Sequence, residues 1–241
     1  MPEYYIGTSG WHYEDWKGIF YPADLPKSRW LSYYSRHFRT VELNNSFYRL
    51  PSENAFVKWQ ESAPIDFFFS VKASRYITHV KRLKSVEEPL QHFMDRVPLL
   101  GEKLGPLLYQ LPPNMRRNDD RLEDFLKILP GKYRHVIEFR HESWFHDDVF
   151  RILRKHRIGW CIFDMPGLTS PVVVTADFTY VRFHGSAGLY SSSYSDKELA
   201  TWSKKIVKLG QDLKTVYIYF NNDVAGYALD NARTLRRILG L

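Results

Sequence analysis

Cysteine is almost absent from this sequence, and its scarcity narrows the possible chemistry. The 241 residues contain one cysteine, Cys161. One thiol cannot form an internal disulfide, and it cannot build a cysteine-based metal site. We therefore expect a reducing, cytoplasmic environment.

Long apolar runs are also missing. No run approaches the roughly 20 residues that a membrane span needs. The opening Met-Pro-Glu-Tyr-Tyr lacks the basic region and apolar stretch of a secretory signal. We expect no membrane partner.

Linkers and low-complexity tracts are absent as well, so nothing in the composition marks a domain boundary. Hydrophobic residues make up 44% of the 241 residues, which is enough for a large core. Because α/β barrels commonly reach this size as one domain, we expect a single domain over residues 1–241.

Negative charge is in the minority, with 27 acidic against 34 basic residues and a net charge of +7. Such a balance suits an anionic small molecule or a nucleic acid. The basic residues are scattered, however, and a solvated surface rich in lysine explains the charge equally well. The oligomeric state is not predicted by any pattern in the sequence.

Short β-branched or aromatic runs alternate with amphipathic stretches along the whole chain. This alternation predicts an α/β fold, a single (β/α)8 TIM-type barrel. The segment from Asp164 to Tyr180 contains Met-Pro-Gly and Ser-Pro and has no helical stripe, so the sixth helix is predicted to be short or missing. An open doubly wound sheet is the alternative, but no glycine-rich fingerprint follows the first strand. The predicted strands are Tyr4–Ser9, Thr40–Asn44, Phe67–Lys72, Leu107–Gln110, Val136–Arg140, Gly159–Asp164, Thr179–His184 and Val216–Asn221.

Polar side chains occupy one face near the carboxyl ends of these strands. In the seventh strand, Arg182 and His184 lie on the face opposite Val181 and Phe183. Buried charges are costly unless they are paired or face a wet pocket. We therefore predict a polar pocket at the carboxyl ends of the strands, where barrel enzymes place their sites. A structural network of ion pairs is the alternative.

The residue types suggest roles within this pocket. His184 is the candidate for proton transfer because its ordinary pKa lies near neutrality, with Glu42, Glu138 and Asp164 as further candidate catalytic groups. Lys72, Arg140 and Arg182 would clamp an anion. The loop with Tyr190 and Tyr194 is a candidate lid. The full set of predicted substrate-binding residues is Lys72, Arg140, Arg182, Asn44, Gln110, Trp11, Tyr190, Asn221 and Asn222. Cys161 has the opposite parity to Asp164 and is predicted to pack outward.

Three other chemistries compete with a small anionic substrate. Basic residues from Lys72 to Lys84, together with rings such as Trp11 and Trp16, suit nucleic acid. A divalent metal on Glu42, Glu138, Asp164 and His184 is disfavoured because three cations surround the site and the HExxH spacing is absent, so no cofactor and no metal are predicted. A glycosidase is disfavoured, because it needs two carboxylates about 5 to 9.5 Å apart. Glu42 and Glu138 belong to strands that lie nearly opposite each other in the predicted barrel.

Several distinctive motifs are spread over nearly the whole chain. They include Gly7–Trp16, Val41–Tyr48, Leu104–Pro113, Glu138–His141, Tyr180–Gly185 and Tyr219–Asp223. Together these motifs resemble those of the YecE-like proteins, also called domain of unknown function 72. The resemblance implies a TIM-type barrel. It implies no reaction, because the activity of the family is not established, and its likeness to sugar-isomerase and endonuclease barrels concerns the fold alone.

The sequence thus predicts a barrel enzyme that binds an anionic substrate, a phosphorylated sugar or a phosphodiester, at the carboxyl ends of its strands. Hydrolysis, lyase chemistry and isomerisation all remain open. A DNA- or RNA-processing barrel without a recognised metal site is the alternative function.

Overall fold

Eight parallel strands organise the structure, which is a computed structural model that describes residues 2–241. Each predicted strand is present, with its ends within three residues of the predicted ones. A ninth, two-residue strand was not predicted. The strands are β1 Glu3–Thr8, β2 Thr40–Leu43, β3 Phe68–Lys72, β4 Leu104–Gln110, β5 His135–Glu138, β6 Gly159–Met165, β7 Leu168–Thr169, β8 Phe178–Phe183 and β9 Thr215–Phe220.

The strand order is β1-β9-β8-β6-β5-β4-β3-β2, and β7 pairs only with β6. Parallel pairing joins β8 to β9 and β9 to β1 over six residues each. A parallel bridge between Ser9 and Glu42 links the end of β1 to β2. This order, with helices between parallel strands, is that of an α/β TIM-type barrel. All residues of β8 and β9 are buried, as expected for strands covered on both faces.

The predicted loss of the sixth helix is confirmed. After β6 the chain turns back through β7, which pairs antiparallel with Asp164 and Met165. It then reaches β8 without a helix between residues 170 and 177. The Thr175 hydroxyl attaches this segment to the beginning of β6, because it accepts from Trp160 N and donates to Ile158 O.

Amphipathic helices cover the outside of the strands. In α5, for example, the helical spacing of Leu122, Phe125 and Leu126 predicts one apolar face, and these three residues are buried. No helix within residues 2–241 is long and apolar enough to cross a membrane. The helices are α1 Trp30–Tyr34, α2 Asn45–Tyr48, α3 Glu53–Ser62, α4 Glu87–Arg96, α5 Asp119–Lys127, α6 Asp147–His156, α7 Asp196–Gly210 and α8 Tyr227–Ile238.

Two helix starts test the expected capping residues. The sequence Ser195-Asp-Lys-Glu198 predicts a capping box, and the structure confirms it at α7, where each of the two side chains accepts from the other residue's backbone N–H. The sequence also predicts Asn222 or Asp223 as the cap of the last helix, and this prediction is wrong. A short 3-10 turn, Val224–Gly226, intervenes, with positive φ at Ala225 (54°) and Gly226 (78°), and α8 begins at Tyr227.

Two compact units divide the chain by their internal packing. Unit 1 comprises residues 1–42, 162–170 and 177–241, and unit 2 comprises residues 43–161 and 171–176. The expectation of one domain over residues 1–241 stays a prediction. Each unit contains its own cluster of polar strand-end residues.

Candidate functional site

In unit 1, the carboxylate of Glu42 is the centre of a buried hydrogen-bond network. Its Oε1 accepts from Ser9 Oγ at 2.7 Å and from Arg182 Nη2 at 2.7 Å. Its Oε2 accepts from the Tyr180 hydroxyl at 2.6 Å. Glu42 and Arg182 are both 0% exposed. These three donors compensate the burial of the carboxylate, and the arrangement has the form of a structural ion-pair network.

His184 directly follows β8 and is also fully buried. Its Nε2 lies 3.4 Å from Arg182 Nη1, and its Nδ1 lies 3.1 Å from Nδ2 of Asn221. Arginine can only donate, so Nε2 must accept, and the single proton of a neutral imidazole then sits on Nδ1. Asn221 satisfies that proton when its amide oxygen, not its nitrogen, faces the ring.

The loop after His184 is attached to unit 1 by two asparagines. Asn222 Nδ2 donates to Ser192 O and to Asn231 Oδ1, both at 2.8 Å. Asn231, in α8, also accepts from Tyr194 N at 3.0 Å and donates to Tyr194 O at 3.0 Å. These contacts place Asn222 beneath the loop, where it supports the backbone.

Tyr190 is the loop residue that reaches His184. Its N–H donates to His184 O at 2.6 Å, and the two rings meet edge to face with centroids 5.6 Å apart. Tyr190 has a φ of +62° and is 39% exposed. A tyrosine in the left-handed region is uncommon and indicates a constrained backbone.

Asp164 is bound into the β6–β7 hairpin. Its Oδ1 accepts from the Thr169 hydroxyl at 2.7 Å, and its backbone oxygen accepts from His184 N at 2.9 Å. The residue therefore contacts His184 through its main chain, while its carboxylate accepts a hydrogen bond within the hairpin.

Asp223 and Tyr13 are two further titratable residues of unit 1, and the pKa of each is shifted. Burial, with a smaller contribution from the Asp15 carboxylate, raises the pKa of Asp223 to about 6. Burial and the nearby carboxylates of Asp223 and Glu42 raise the pKa of the Tyr13 hydroxyl above its ordinary value. Trp16 Nε1 donates to Asp223 O at 2.8 Å, which connects the loops after β1 and β9.

In unit 2, Glu138 ends β5 and forms an ion pair with Arg140. Both side chains are nearly inaccessible. The Glu138 Oε2 atom accepts from Cys161 Sγ at 3.7 Å. The outward orientation predicted for Cys161 is therefore wrong. Ile137 pairs with Trp160 across β5 and β6, so the next residues, Glu138 and Cys161, lie side by side.

Lys72 ends β3, and its Nζ lies 4.1 Å from the centroid of the Phe47 ring. His79 packs edge to face against the same ring, with centroids 5.0 Å apart. Its Nδ1 lies 2.9 Å from the Thr78 hydroxyl. Burial, followed by the positive charges of Lys72, Arg75, Arg82 and Arg140, lowers the pKa of His79 to about 4. We call His79 and these four cations the basic cluster.

Asn44 and Gln110 lie at two further strand ends of unit 2. Asn44 precedes α2, and its buried Oδ1 has no hydrogen-bond partner among residues 2–241. Gln110 ends β4 and donates from Nε2 to Leu111 O at 3.2 Å. An unpaired buried acceptor is costly unless a water molecule or a ligand group donates to it.

The two tryptophans after β1 are not available for stacking. Trp11 is 6% exposed and Trp16 is 0% exposed. Tyr21 donates its hydroxyl to Trp11 O at 2.6 Å. Both rings anchor the loop after β1, so neither can stack on a base as the nucleic-acid alternative requires.

Comparison with known proteins connects these motifs to one family. The model of the family described as "Protein of unknown function DUF72" matches residues 5–241. The chain belongs to the DUF72 family. The UPF0759 protein YunF of Bacillus subtilis (strain 168) is 30% identical over 272 residues, which cover 98% of this chain and 95% of that protein. The UPF0759 protein YecE of Escherichia coli O157:H7 is 30% identical over 258 residues, covering 96% and 90%.

Solved structures of DUF72 proteins have the same fold. A crystal structure from Thermotoga maritima superimposes with a TM-score of 0.90 at 35% identity, covering 99% of this chain and 100% of that chain. One from Enterococcus faecalis gives a TM-score of 0.86 at 21% identity, covering 99% and 96%. The resemblance inferred from the motifs and the predicted barrel are both confirmed.

Two residues of this DUF72 protein were missed as site candidates. His79 lies within the basic stretch from Lys72 to Lys84, and the sequence does not distinguish it from the other basic residues there. Asn231 lies in α8, and nothing in a sequence indicates which loop a helical asparagine contacts. Both become evident only from side-chain contacts.

No group of three or more His, Cys, Asp or Glu side chains within residues 2–241 is arranged to hold a metal ion. Two histidines of the DUF72 chain that resemble ligands cap helices instead. His141 Nδ1 accepts from Ser143 N at 3.1 Å, and His146 Nδ1 accepts from Asp148 N at 3.2 Å.

Proposed function

We propose that this DUF72 protein is an enzyme that binds an anionic substrate, a phosphorylated sugar or a phosphodiester, at the basic cluster of unit 2. The observation that supports this most directly is that Lys72 and His79 contact the same Phe47 ring, with Lys72 Nζ 4.1 Å and the imidazole centroid 5.0 Å from its centroid. After burial, the charges of Lys72, Arg75, Arg82 and Arg140 each contribute to lowering the pKa of this imidazole. Cations brought close together repel one another, so a bound anion would stabilise the cluster.

The chemistry of the cluster fits a phosphoryl group. Arg140 retains its ion pair with Glu138, which holds the guanidinium in place. Lys72 is supported by the face of Phe47 and presents a compact charge. The unpartnered Oδ1 of Asn44, three residues before Phe47, suits a sugar hydroxyl. Lys72, Arg140 and Asn44 are accordingly proposed as binding groups.

The catalytic roles of His184, Glu42, Glu138 and Asp164 stay predictions. In unit 1, His184 has both ring nitrogens engaged, so its participation in proton transfer requires one of these contacts to open. Hydrolysis, lyase chemistry and isomerisation are all compatible with the groups present. A cytoplasmic location, expected from the scarcity of cysteine, also stays a prediction, and the proposal uses no cofactor.

Calorimetric titration with glucose 6-phosphate and ribose 5-phosphate tests the proposal. Lys72→Met keeps the length of the side chain and removes its charge. It should weaken binding by about 10- to 100-fold, the value of one charge-assisted contact of about 1.5 to 3 kcal/mol. Lys197→Met, on the exposed face of α7, is the matched control and should leave binding unchanged.

Absence of binding of either phosphate ester to the natural protein at low salt would contradict the proposal. Equal loss of affinity in the Lys72 and Lys197 variants would also contradict it. Such a result would mean that net charge, and not the basic cluster, attracts the anion.

A nucleic acid is the second candidate ligand, and one observation favours it. Tyr76 follows β3 and is 46% exposed, with Lys81 Nζ 5.8 Å from its ring centroid. Arg75 and Lys84 in the same segment are also exposed. An exposed ring among cations can stack a base while the charges contact the backbone.

Fluorescence anisotropy with a short single-stranded DNA, titrated with salt, tests this candidate. Tyr76→Ala should weaken binding by about 1 to 3 kcal/mol if a base stacks there. Tyr48→Ala, at a ring that is 75% exposed in α2, is a control for nonspecific aromatic contact. No binding at low salt would rule out this candidate.

A further inference from the structure

His79 occupies an unusual position for a histidine. It lies in a π-helical turn, Tyr76–Val80, directly after the strand that ends in Lys72. Positive φ values follow at Arg82 (49°), Leu83 (66°) and Ser85 (48°). π-Helical turns are rare and often occur at functional sites, as does backbone strain of this kind.

The turn holds the imidazole in a defined orientation. Ile77 and Thr78 are fully buried and anchor the turn, while His79 is half-buried. The Thr78 hydroxyl lies 2.9 Å from Nδ1 and 3.4 Å from Ser74 O. With the hydroxyl donating to Ser74 O, it accepts from Nδ1–H, and Nε2 then carries the lone pair that can take a proton. The Phe47 ring supports the imidazole from its side.

Lys72 and His79 share one contact, since Lys72 Nζ and the imidazole both pack against the Phe47 ring. Arg75 and Arg82 flank the π-helical turn and Arg140 follows β5. After burial, the positive charges of these four residues each lower the pKa of His79. The carboxylate of Glu138 is paired with Arg140, and Arg82 Nη2 donates to Asn114 Oδ1 at 3.2 Å. In the absence of an anion, these positive charges oppose a further charge on the imidazole.

We propose that His79 is a ligand of the anion bound at the basic cluster, and that it takes up a proton when a dianion binds. The dianion offsets the charges of Lys72, Arg75, Arg82 and Arg140, so the imidazole can become an imidazolium. One proton moves from solvent to Nε2, which then donates a hydrogen bond to an oxygen of the anion. His79 thereby couples substrate binding to protonation and provides an acid beside a phosphoryl group.

This inference rests on the proposed function, since it requires an anion at the basic cluster. Sulfate is a suitable probe because it has the geometry and charge of a phosphate dianion and does not itself titrate in the range used. Calorimetric titration with sulfate at about pH 5, in buffers of different ionisation enthalpy, measures the protons taken up per anion bound. We expect up to about one proton, because this pH lies between the low pKa of the free His79 and the ordinary value of about 6.5.

His79→Gln should abolish the proton uptake and weaken sulfate binding about 3- to 10-fold at about pH 5, the effect of one imidazolium contact. At about pH 8 the same variant should bind almost as the natural protein does, since the imidazole is then neutral. His92→Gln, at an exposed histidine of α4, is the matched control and should keep the full uptake. A general structural defect would weaken binding equally at both pH values.

A second measurement does not depend on the folding of a variant. In the natural protein labelled in its histidine rings, NMR titration should give a pKa of His79 that rises by at least about one unit on addition of sulfate. The inference is overturned if sulfate binds without proton uptake, or if the uptake persists in His79→Gln, and the proposed function then still stands. Failure of sulfate to bind the natural protein overturns both.

Discussion

Arg182 Nη2 donates to Glu42 Oε1 at 2.7 Å, and neither side chain is exposed to solvent. The pair connects β8 to β2 within unit 1, and Ser9 and Tyr180 complete the coordination of the carboxylate. Because Glu42 has three donors, its carboxylate is paired within the protein in the way expected of a structural ion pair. Its removal should therefore affect folding before it affects binding.

The first prediction concerns this pair. Arg182→Met should lower the free energy of unfolding by about 3 to 5 kcal/mol, because it leaves the Glu42 carboxylate buried without its cation. The double variant Arg182→Met with Glu42→Gln should recover a part of that loss, since no buried charge remains. Chemical denaturation of the natural protein and both single and double variants measures the coupling. A loss below about 1 kcal/mol for Arg182→Met would indicate that water reaches the pair.

The second prediction concerns the support of the loop after β8. Asn231→Ala removes the hydrogen bonds to Tyr194 and Asn222 from a side chain that is 4% exposed. It should cost about 1 to 3 kcal/mol and leave buried loop groups unpaired. Hydrogen exchange of the Tyr194 amide should accelerate. Asn54→Ala, at an exposed position of α3, should change neither quantity. Unchanged exchange at Tyr194 in Asn231→Ala would show that other contacts hold the loop.

The third prediction is a pH dependence. The pKa of Asp223 in the folded protein is about 6, above its ordinary value of 3.8. The folded state therefore binds this proton more tightly, and the group contributes stability that is present below pH 3.8 and is lost as the pH rises through about 6. Asp223→Asn cannot ionise, so it should gain stability relative to the natural protein between about pH 4 and pH 7.

Denaturation at several pH values measures the free energy of unfolding of the variant and of the natural protein. The difference between the two isolates the contribution of Asp223 from those of other titrating groups. His79 acts in the opposite direction, since its lowered pKa means that its contribution is lost as the pH falls from 6.5 to about 4. Asp212→Asn, at an exposed residue before β9, is the control. A difference for Asp223→Asn that does not vary with pH would contradict the assigned pKa.

The fourth prediction concerns Cys161, which is 0% exposed and donates to Glu138. A thiol reagent should fail to modify it in the folded protein and should react stoichiometrically in denaturant. The rate of modification should therefore follow the rate of unfolding. Rapid modification of the native protein would show that the interior around Glu138 opens without global unfolding.

Much of the fold could be predicted from the sequence, because strands and helices have different periods of hydrophobicity. The runs around Val41 and Val181 alternate with period two, and the stripe at Leu122, Phe125 and Leu126 follows a helical period. The missing sixth helix was equally predictable, since proline and glycine remove the helical stripe. The start of the last helix was not, because the strained turn at Ala225 and Gly226 depends on tertiary contacts.

The residue types and strand-end positions of the candidate site follow from the sequence alone, because a charge within a buried strand is costly enough to be noticed. Which charges pair was decided only by the tertiary structure. Glu42 pairs with Arg182, far along the chain, while Glu138 pairs with its near neighbour Arg140. His184 is buried in contact with Arg182 and Asn221. His79, in the π-helical turn, is instead influenced by the charges of the basic cluster. Distances between side chains depend on strand register and on local backbone geometry. Neither of these can be inferred from the hydrophobic pattern of the sequence.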